Sequence, residues 1–261
     1  MTPHTSHTSA HTPRQAFTLI EMLVVIAIIA LLISIITPAT SRALASARTV
    51  ACQSNMRQIS AAVIAFASDN ETRLPRFQRT SSEPGGPSNW AGELILGNYL
   101  DAPLQENRED IPRDSVLRCP SGLVDMLSNG SIPNDPYTET PMVHRPLAFE
   151  QSTEDGLRYV HNWYGLNART EHGPEHGWPF IRINNPDIHS TLLRVTHADR
   201  TVMFFDGSWA HNSAGGRIYA RHGSPRRTTN FAFFDGRVEN MRARFHDVGS
   251  RDPETYPLFR N

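Results

Sequence analysis

Histidines in the C-terminal two thirds of the chain are of a type that could bind a metal ion or transfer protons. They include His161, His172, His176, His189, His197, His211 and His222. His172 and His176 are four residues apart, a spacing that aligns two ligands only when the segment is helical. Gly173 and Pro174 disfavour a helix there. We therefore interpret this segment as a turn or surface loop and predict no metal site.

His222 and Asp235 could form an acid–base dyad, in which an imidazole moves a proton and a carboxylate orients it. The sequence contains no G-x-S-x-G nucleophile motif to accompany them, and Asp235 is already explained as a turn residue. We therefore predict that the protein is not an enzyme and that Arg221, His222 and Asp235 pair to hold a loop. A membrane-tethered, metal-dependent hydrolase built on the histidines is an open alternative.

The two cysteines of the chain, Cys52 and Cys119, admit two interpretations. Outside the cytoplasm they could form one disulfide. Closing so long a loop would contribute about 4 kcal/mol in the entropic model. Alternatively, each is a separately buried thiol that behaves as a small hydrophobic side chain.

One carboxylate, Glu21, lies inside an apolar run that extends from Phe17 to Ile36. A helix of about 20 residues spans roughly 30 Å, the thickness of the hydrocarbon core of a bilayer. A carboxylate there costs about 3 kcal/mol, so we expect a cation from a lipid head group or from another chain. A cleaved signal peptide has a shorter apolar core and a small-residue cleavage site. This run breaks at Pro38 without an A-x-A site, which favours a retained anchor.

The residues around Glu21 resemble the processing site of type IV prepilins and type II secretion pseudopilins. Ala16 precedes Phe17-Thr18-Leu19-Ile20-Glu21 and the apolar run, although the family usually has Gly where this chain has Ala16. The resemblance implies that a prepilin peptidase removes a leader, residues 1–16, and that the new amine of Phe17 is methylated. It further implies that Glu21 neutralises this amine on a neighbouring subunit and that Pro38 kinks the anchor helix.

The same resemblance implies a single-pass protein of the cytoplasmic (inner) membrane whose C-terminal domain is extracytoplasmic, in a filament or at the cell surface. The positive-inside rule compares Arg14 with Arg42 and Arg48 and by itself favours the opposite orientation. We expect the orientation of the family because its motif is more specific than a difference of one charge. The implied partners are a prepilin peptidase, other pilin or pseudopilin subunits and the membrane.

Beyond Pro38 the apolar residues become periodic, which indicates a one-sided helix. The stripe is formed by Cys52, Met56, Ile59, Val63 and Phe66. We therefore predict a transmembrane helix over 17–37 and an amphipathic helix over 38–70. Leu74-Pro75 then prevents the helix from continuing.

Two FFDG segments, ending in Asp206-Gly207 and Asp235-Gly236, predict tight hairpin turns of type I′ between β-forming residues. They indicate an antiparallel sheet of about four strands in an extracytoplasmic domain, residues 71–261, with loop-rich insertions. A long helix packed on such a sheet is an α+β, pilin-like fold. The ending His222…Asp235-Gly236 also resembles that of a prepilin-like subfamily, with a longer loop here.

The net charge of −1 disfavours nucleic-acid binding, and we predict no cofactor. Some major pseudopilins that the chain resembles hold calcium in a C-terminal loop, to which Asp247 and Asp252 could contribute, but no D-x-D-x-D-G run is present. We expect a structural subunit or assembly factor of a type II secretion pseudopilus or type IV pilus-like filament. The alternative is a monomeric surface protein that uses the prepilin signal only as an anchor and binds a ligand.

Overall fold

A single long helix, α1 (Leu19–Asp69), forms the N-terminal part of the structure and includes Pro38. The computed structural model describes residues 18–79, 85–122, 147–169, 179–181, 190–207, 222 and 228–242. The chain divides into two compact units, Met1–Ala43 and Leu44–Asn261. The C-terminal unit therefore contains the amphipathic part of α1 as well as the sheet.

The amphipathic part of α1 buries one face, as its periodicity predicts. The fully buried members of the predicted stripe are Cys52, Met56, Ile59 and Val63. Phe66 is only half-buried, and Ala67 takes the last buried position on this face. The helix ends one residue from the predicted position, because Glu71 and Thr72 adopt left-handed backbone conformations with φ of 53° and 64°.

The other elements of the described residues are short. They are β1 (Gln78–Arg79), β2 (Ser88–Asn89), α2 (Trp90–Leu96), β3 (Leu147–Thr153), β4 (Gly156–Asn162), β5 (Tyr164–Leu166), β6 (Ala168–Arg169), β7 (Phe180–Ile181), a 3₁₀ turn (Leu192–Arg194), β8 (Val202–Asp206), β9 (Thr228–Phe233) and β10 (Val238–Arg242). Asn89 caps α2 by accepting hydrogen bonds from the backbone N–H groups of Ala91 and Gly92.

Four strands form an antiparallel sheet in the order β10-β9-β8-β5. The buried face of α1 and the residues of this sheet share one hydrophobic core, to which Met56, Phe204 and Ala232 belong. The strands β3 and β4 pair separately as a hairpin. A long helix and a small antiparallel sheet confirm the predicted α+β class.

The predicted turn at Asp235-Gly236 is present but differs in type. Phe233 and Arg237 are joined by a backbone hydrogen bond of 2.9 Å, which leaves residues 234–236 as the loop. Gly236 has a φ of 87°, whereas Asp235 is outside the left-handed region. A type I′ turn needs positive φ at two central residues, so this is the longer hairpin loop that places a glycine at its left-handed position.

The prediction of a tight turn at Asp206-Gly207 is wrong. Asp206 is the last residue of β8 and pairs with Tyr164 of β5. The backbone N–H of Gly207 donates to the carbonyl oxygen of Trp163 at 3.3 Å, so the pairing continues past the aspartate. The Asp206 side chain accepts the backbone N–H of Asn230 inside the core, which keeps it from serving as a turn residue. The second strand expected after this turn lies outside the described residues.

Gly165 on β5 pairs with Phe205 on β8. Because the two residues are in close contact, adding a single methyl group at Gly165 should destabilise the protein. A Cβ atom at Gly165 would lie 2.3 Å from the buried ring of Phe205. We expect Gly165→Ala to lower the free energy of unfolding by about 1–3 kcal/mol because the packed ring must shift. Urea unfolding followed by tryptophan fluorescence measures this change. Adding Phe205→Leu should recover part of the loss, and a single variant as stable as the wild type would contradict the packing.

Candidate functional site

The apolar side chains at the start of α1 are exposed around the whole helix. From residue 19 to residue 36, every large hydrophobic side chain is at least 44% exposed. A helix that packs on a soluble domain buries one face and exposes polar residues on the other. This helix is long and apolar enough to cross a membrane, a test that an N-terminal signal sequence also passes. Its surface therefore requires lipid or other apolar helices.

Glu21 closes the first turn of α1 by hydrogen bonds to Thr18. Its Oε2 atom accepts from the backbone N–H and from the hydroxyl of Thr18, both at 2.8 Å. The backbone N–H of Glu21 donates to the Thr18 hydroxyl oxygen at 3.3 Å. This reciprocal pattern is a capping box, which satisfies donors that the helix terminus leaves without partners. Sequence reasoning missed this role, although the spacing T-x-x-E is its signature.

A second group of functional side chains is buried in the core of the C-terminal unit. We call it the Cys–Asp–His cluster; it consists of Cys52, Cys119, Asp206 and His222. Their exposed fractions are 0%, 0%, 0% and 4%. One ligand-type atom from each residue lies within 4.8 Å of those of the other three. Four segments that are distant in sequence therefore bring chemically reactive groups to one point.

The fold places each member of the Cys–Asp–His cluster through a different element. Cys52 belongs to the buried face of α1, and Asp206 ends β8. Cys119 follows a segment held to the sheet by a backbone hydrogen bond of 3.0 Å between Trp163 N–H and the carbonyl oxygen of residue 117. His222 pairs with Thr228 at the start of β9 through two backbone hydrogen bonds, of 3.1 and 2.8 Å.

Asp206 is the centre of this cluster. Its Oδ2 atom lies 3.0 Å from Nε2 of His222 and also accepts the Asn230 backbone N–H at 3.0 Å. Its Oδ1 atom accepts from the Cys52 thiol at 3.1 Å. The Cys119 sulfur lies 3.6 Å from Nε2 of His222. Both thiols therefore adjoin a buried carboxylate–imidazole pair.

Hydroxyl groups surround the cluster. Nδ1 of His222 lies 3.2 Å from the Thr49 hydroxyl and 3.3 Å from the Ser121 hydroxyl. The Tyr164 hydroxyl lies 3.4 Å from the Cys52 sulfur and donates to the carbonyl oxygen of Arg118 at 3.2 Å. These contacts fix the orientation of the imidazole ring and of the Cys52 side chain.

Burial and neighbouring negative charge have opposite effects on the pKa of His222. Burial alone lowers the pKa of His222, but the hydrogen bonds and negative charge of Asp206 and Cys119 outweigh it and raise this pKa to about 9. Burial is also the main reason why the pKa of the Cys52 thiol and that of the Tyr164 hydroxyl are raised. At neutral pH the cluster therefore contains a protonated imidazole beside a carboxylate, with Cys52 as a neutral thiol.

The pairing predicted for His222 and one of the two interpretations of the cysteines differ from what the structure has. His222 pairs with Asp206 and not with Asp235, whose Oδ2 atom lies 3.5 Å from the side chain of Arg237 on the hairpin. Cys52 and Cys119 are held as thiols, so the disulfide is not formed in this structure. The thiols are nevertheless in one cluster, because Cys52 is directed to Asp206 and Cys119 to His222.

Other predicted positions are away from the cluster or beyond the described part of the chain. His161 is buried and bonds to the carbonyl oxygen of Arg108 at 2.8 Å, so its role is structural. The predicted positions that lie outside the described residues are Ala16, Phe17, His172, His176, His189, His211, Arg221, Asp247 and Asp252.

Comparison with protein-family models gives one match, at the N-terminus. Residues 12–37 match the model of the prokaryotic N-terminal methylation motif. The chain carries a prepilin-type signal. Comparison with curated proteins and with solved structures finds no match.

The prepilin-type signal covers Glu21 and the exposed apolar part of α1 up to Thr37. Signal and helix together indicate a membrane-anchored protein. The capping box also lies within this signal, so Glu21 has a local partner within the chain.

Proposed function

We propose that the protein is a structural subunit or assembly factor of a type II secretion pseudopilus or a type IV pilus-like filament. The observation that carries this proposal is the match of residues 12–37 to the N-terminal methylation motif. The exposed apolar part of α1 supports it, since such a surface can be covered by lipid before assembly and by neighbouring helices afterwards. The α+β fold with its long N-terminal helix is also consistent with a pilin-like subunit.

In this proposal, a prepilin peptidase removes residues 1–16 and the new amine of Phe17 is methylated. That amine then pairs with the Glu21 carboxylate of a neighbouring subunit. An uncompensated carboxylate at membrane depth costs about 3 kcal/mol, which the cation offsets. Thr18 remains after cleavage, so the capping box holds the Glu21 side chain while the carboxylate accepts its partner.

The proposed orientation is that of the family the signal resembles, with a cytoplasmic N-terminus. The leader then starts in the cytoplasm, and the unit from Leu44 to Asn261 is extracytoplasmic. The subunit is then a single-pass protein of the cytoplasmic (inner) membrane until it enters a filament. Its direct partners are the prepilin peptidase and other pilin or pseudopilin subunits.

The N-terminus of the protein purified from membranes tests the processing step. We expect mass spectrometry to find a mature chain that begins at N-methylated Phe17. Ala16→Gly should be processed at least as well, whereas Ala16→Trp should accumulate as the precursor, because it puts a large side chain where this chain has Ala and the family usually has Gly.

Cells without the prepilin peptidase are the control and should contain only the precursor. A chain that still begins at Met1 or Thr2 when the peptidase is present would contradict the proposal. A start beyond Ile36 would mean an ordinary secreted protein, with the anchor removed.

A further inference from the structure

The Cys–Asp–His cluster has the composition and the spacing of a metal site. Zinc bonds of about 2.3 Å to sulfur and 2.0–2.1 Å to nitrogen or oxygen place the ligand atoms of a tetrahedron about 3.3–3.8 Å apart. The observed separations include 3.6 Å between Cys119 Sγ and His222 Nε2 and 3.1 Å between Cys52 Sγ and Asp206 Oδ1. The widest separation in the set is within 4.8 Å. This upper limit exceeds the longest ligand separation of a zinc tetrahedron by about 1 Å.

We propose that Cys52, Cys119, Asp206 and His222 bind one zinc ion. Thiolate sulfur and imidazole nitrogen select zinc over calcium and magnesium, which take oxygen ligands. Four protein ligands fill the tetrahedron and leave no position for water or substrate, which is the pattern of a structural site and not of a catalytic one.

The surroundings of the cluster match those of a metal-binding histidine. Zinc takes the Nε2 atom of His222, and Nδ1–H is then free to donate to the hydroxyl of Thr49 or Ser121, which lie 3.2 and 3.3 Å away. Such a bond on the second nitrogen fixes the tautomer and the plane of the ring. Asp206 binds through one oxygen while its other oxygen keeps the Asn230 N–H.

Zinc also offsets most of the negative charge that its ligands must carry. Two thiolates and one carboxylate carry three negative charges, which zinc reduces to one. The Tyr164 hydroxyl, 3.4 Å from Cys52 Sγ, and the Asn230 N–H donate to the remaining charge. Binding requires thiolate sulfur at Cys52 and Cys119 and a neutral imidazole at His222, so it releases protons to solvent. The ion thereby replaces the buried imidazolium as the partner of the carboxylate.

The zinc site would link the amphipathic part of α1 to the sheet. Cys52 is on α1, Asp206 ends β8, His222 adjoins β9 and Cys119 is in the segment before β3. A zinc ion bonded to all four prevents the amphipathic part of α1 from separating from the sheet without breaking metal bonds.

The metal content of the full-length protein, extracted from membranes in detergent without chelator, tests the proposal. We expect about one zinc per chain, with X-ray absorption showing sulfur at about 2.3 Å and nitrogen or oxygen at about 2.0–2.1 Å. His222→Gln should reduce the zinc content at least fivefold. The matched control is His161→Gln, which replaces another buried histidine and should leave it unchanged.

A variant that fails to fold would not report on binding, so the wild-type protein supplies a second measurement. Removing the metal with a chelator should lower the melting temperature, and zinc chloride added alone should restore it. Cobalt(II) in place of zinc should give sulfur-to-metal charge-transfer absorption. A folded protein without zinc that binds none when it is added would overturn the proposal. The proposal would also be overturned if the mass of the protein were two hydrogens lower than that of the dithiol form, which would show a Cys52–Cys119 disulfide.

Discussion

Replacing Glu21 with Gln is expected to abolish filament assembly as completely as replacing it with Leu, while both variants stay in the membrane. Gln can form the same capping box with Thr18, because a Glu or Gln at this position returns the hydrogen bond to the cap. It cannot neutralise the amine of a neighbouring subunit, because it carries no charge. The Gln variant therefore separates the local role of Glu21 from the intermolecular one.

The measurement is the amount of the protein in sheared surface filaments relative to the amount in membranes. The matched control is Thr18→Ala, which removes the hydroxyl of the capping box and keeps the carboxylate. It should cost about 1 kcal/mol of helix stability and leave assembly largely intact. Filaments at wild-type levels with Gln would show that capping is the role of Glu21. If the wild type forms no filaments and both Glu21 variants are still displayed at the surface, the monomeric anchored protein is favoured.

The helix and its buried face were predictable because the signals for them are local. An apolar run with a single charge, a stripe spaced by three and four residues and a proline after the last turn are each read within a few residues of one another. Cys52 and Met56 are therefore buried as expected. Phe66 is exposed in part and packs against Tyr99 beside the core, at 5.4 Å between ring centres, a contact that no local pattern encodes.

The Cys–Asp–His cluster was not predictable because its members meet only in the folded chain. Cys52 and His222 are each explained locally by other features, a helical stripe and a loop ending. The nearest aspartate along the sequence from His222 is Asp235, whereas the aspartate in contact with it is Asp206. Distinguishing the two requires the register of β8 against β5, which pairs Asp206 with Tyr164 and directs its carboxylate inward.

The two FFDG segments permit a test in which the same residue type is changed in the same local sequence. We expect Asp206→Asn to lower the free energy of unfolding by about 3–5 kcal/mol, because it leaves a buried charged partner, His222, without its carboxylate. Asp235→Asn should change it by at most about 0.5 kcal/mol. Asn is well accepted in turns, and the contact of Asp235 with Arg237 is partly exposed.

Urea unfolding in the presence of a chelator measures both variants without any contribution from a bound metal. The double variant Asp206→Asn/His222→Gln should lose less than the sum of the two single variants, because removing both charges leaves neither without a partner. Equal effects of Asp206→Asn and Asp235→Asn would contradict the buried ion pair. A large difference would show that burial, and not the shared FFDG motif, determines what an aspartate contributes in this fold, since the two residues before and the one residue after the change are identical in both segments.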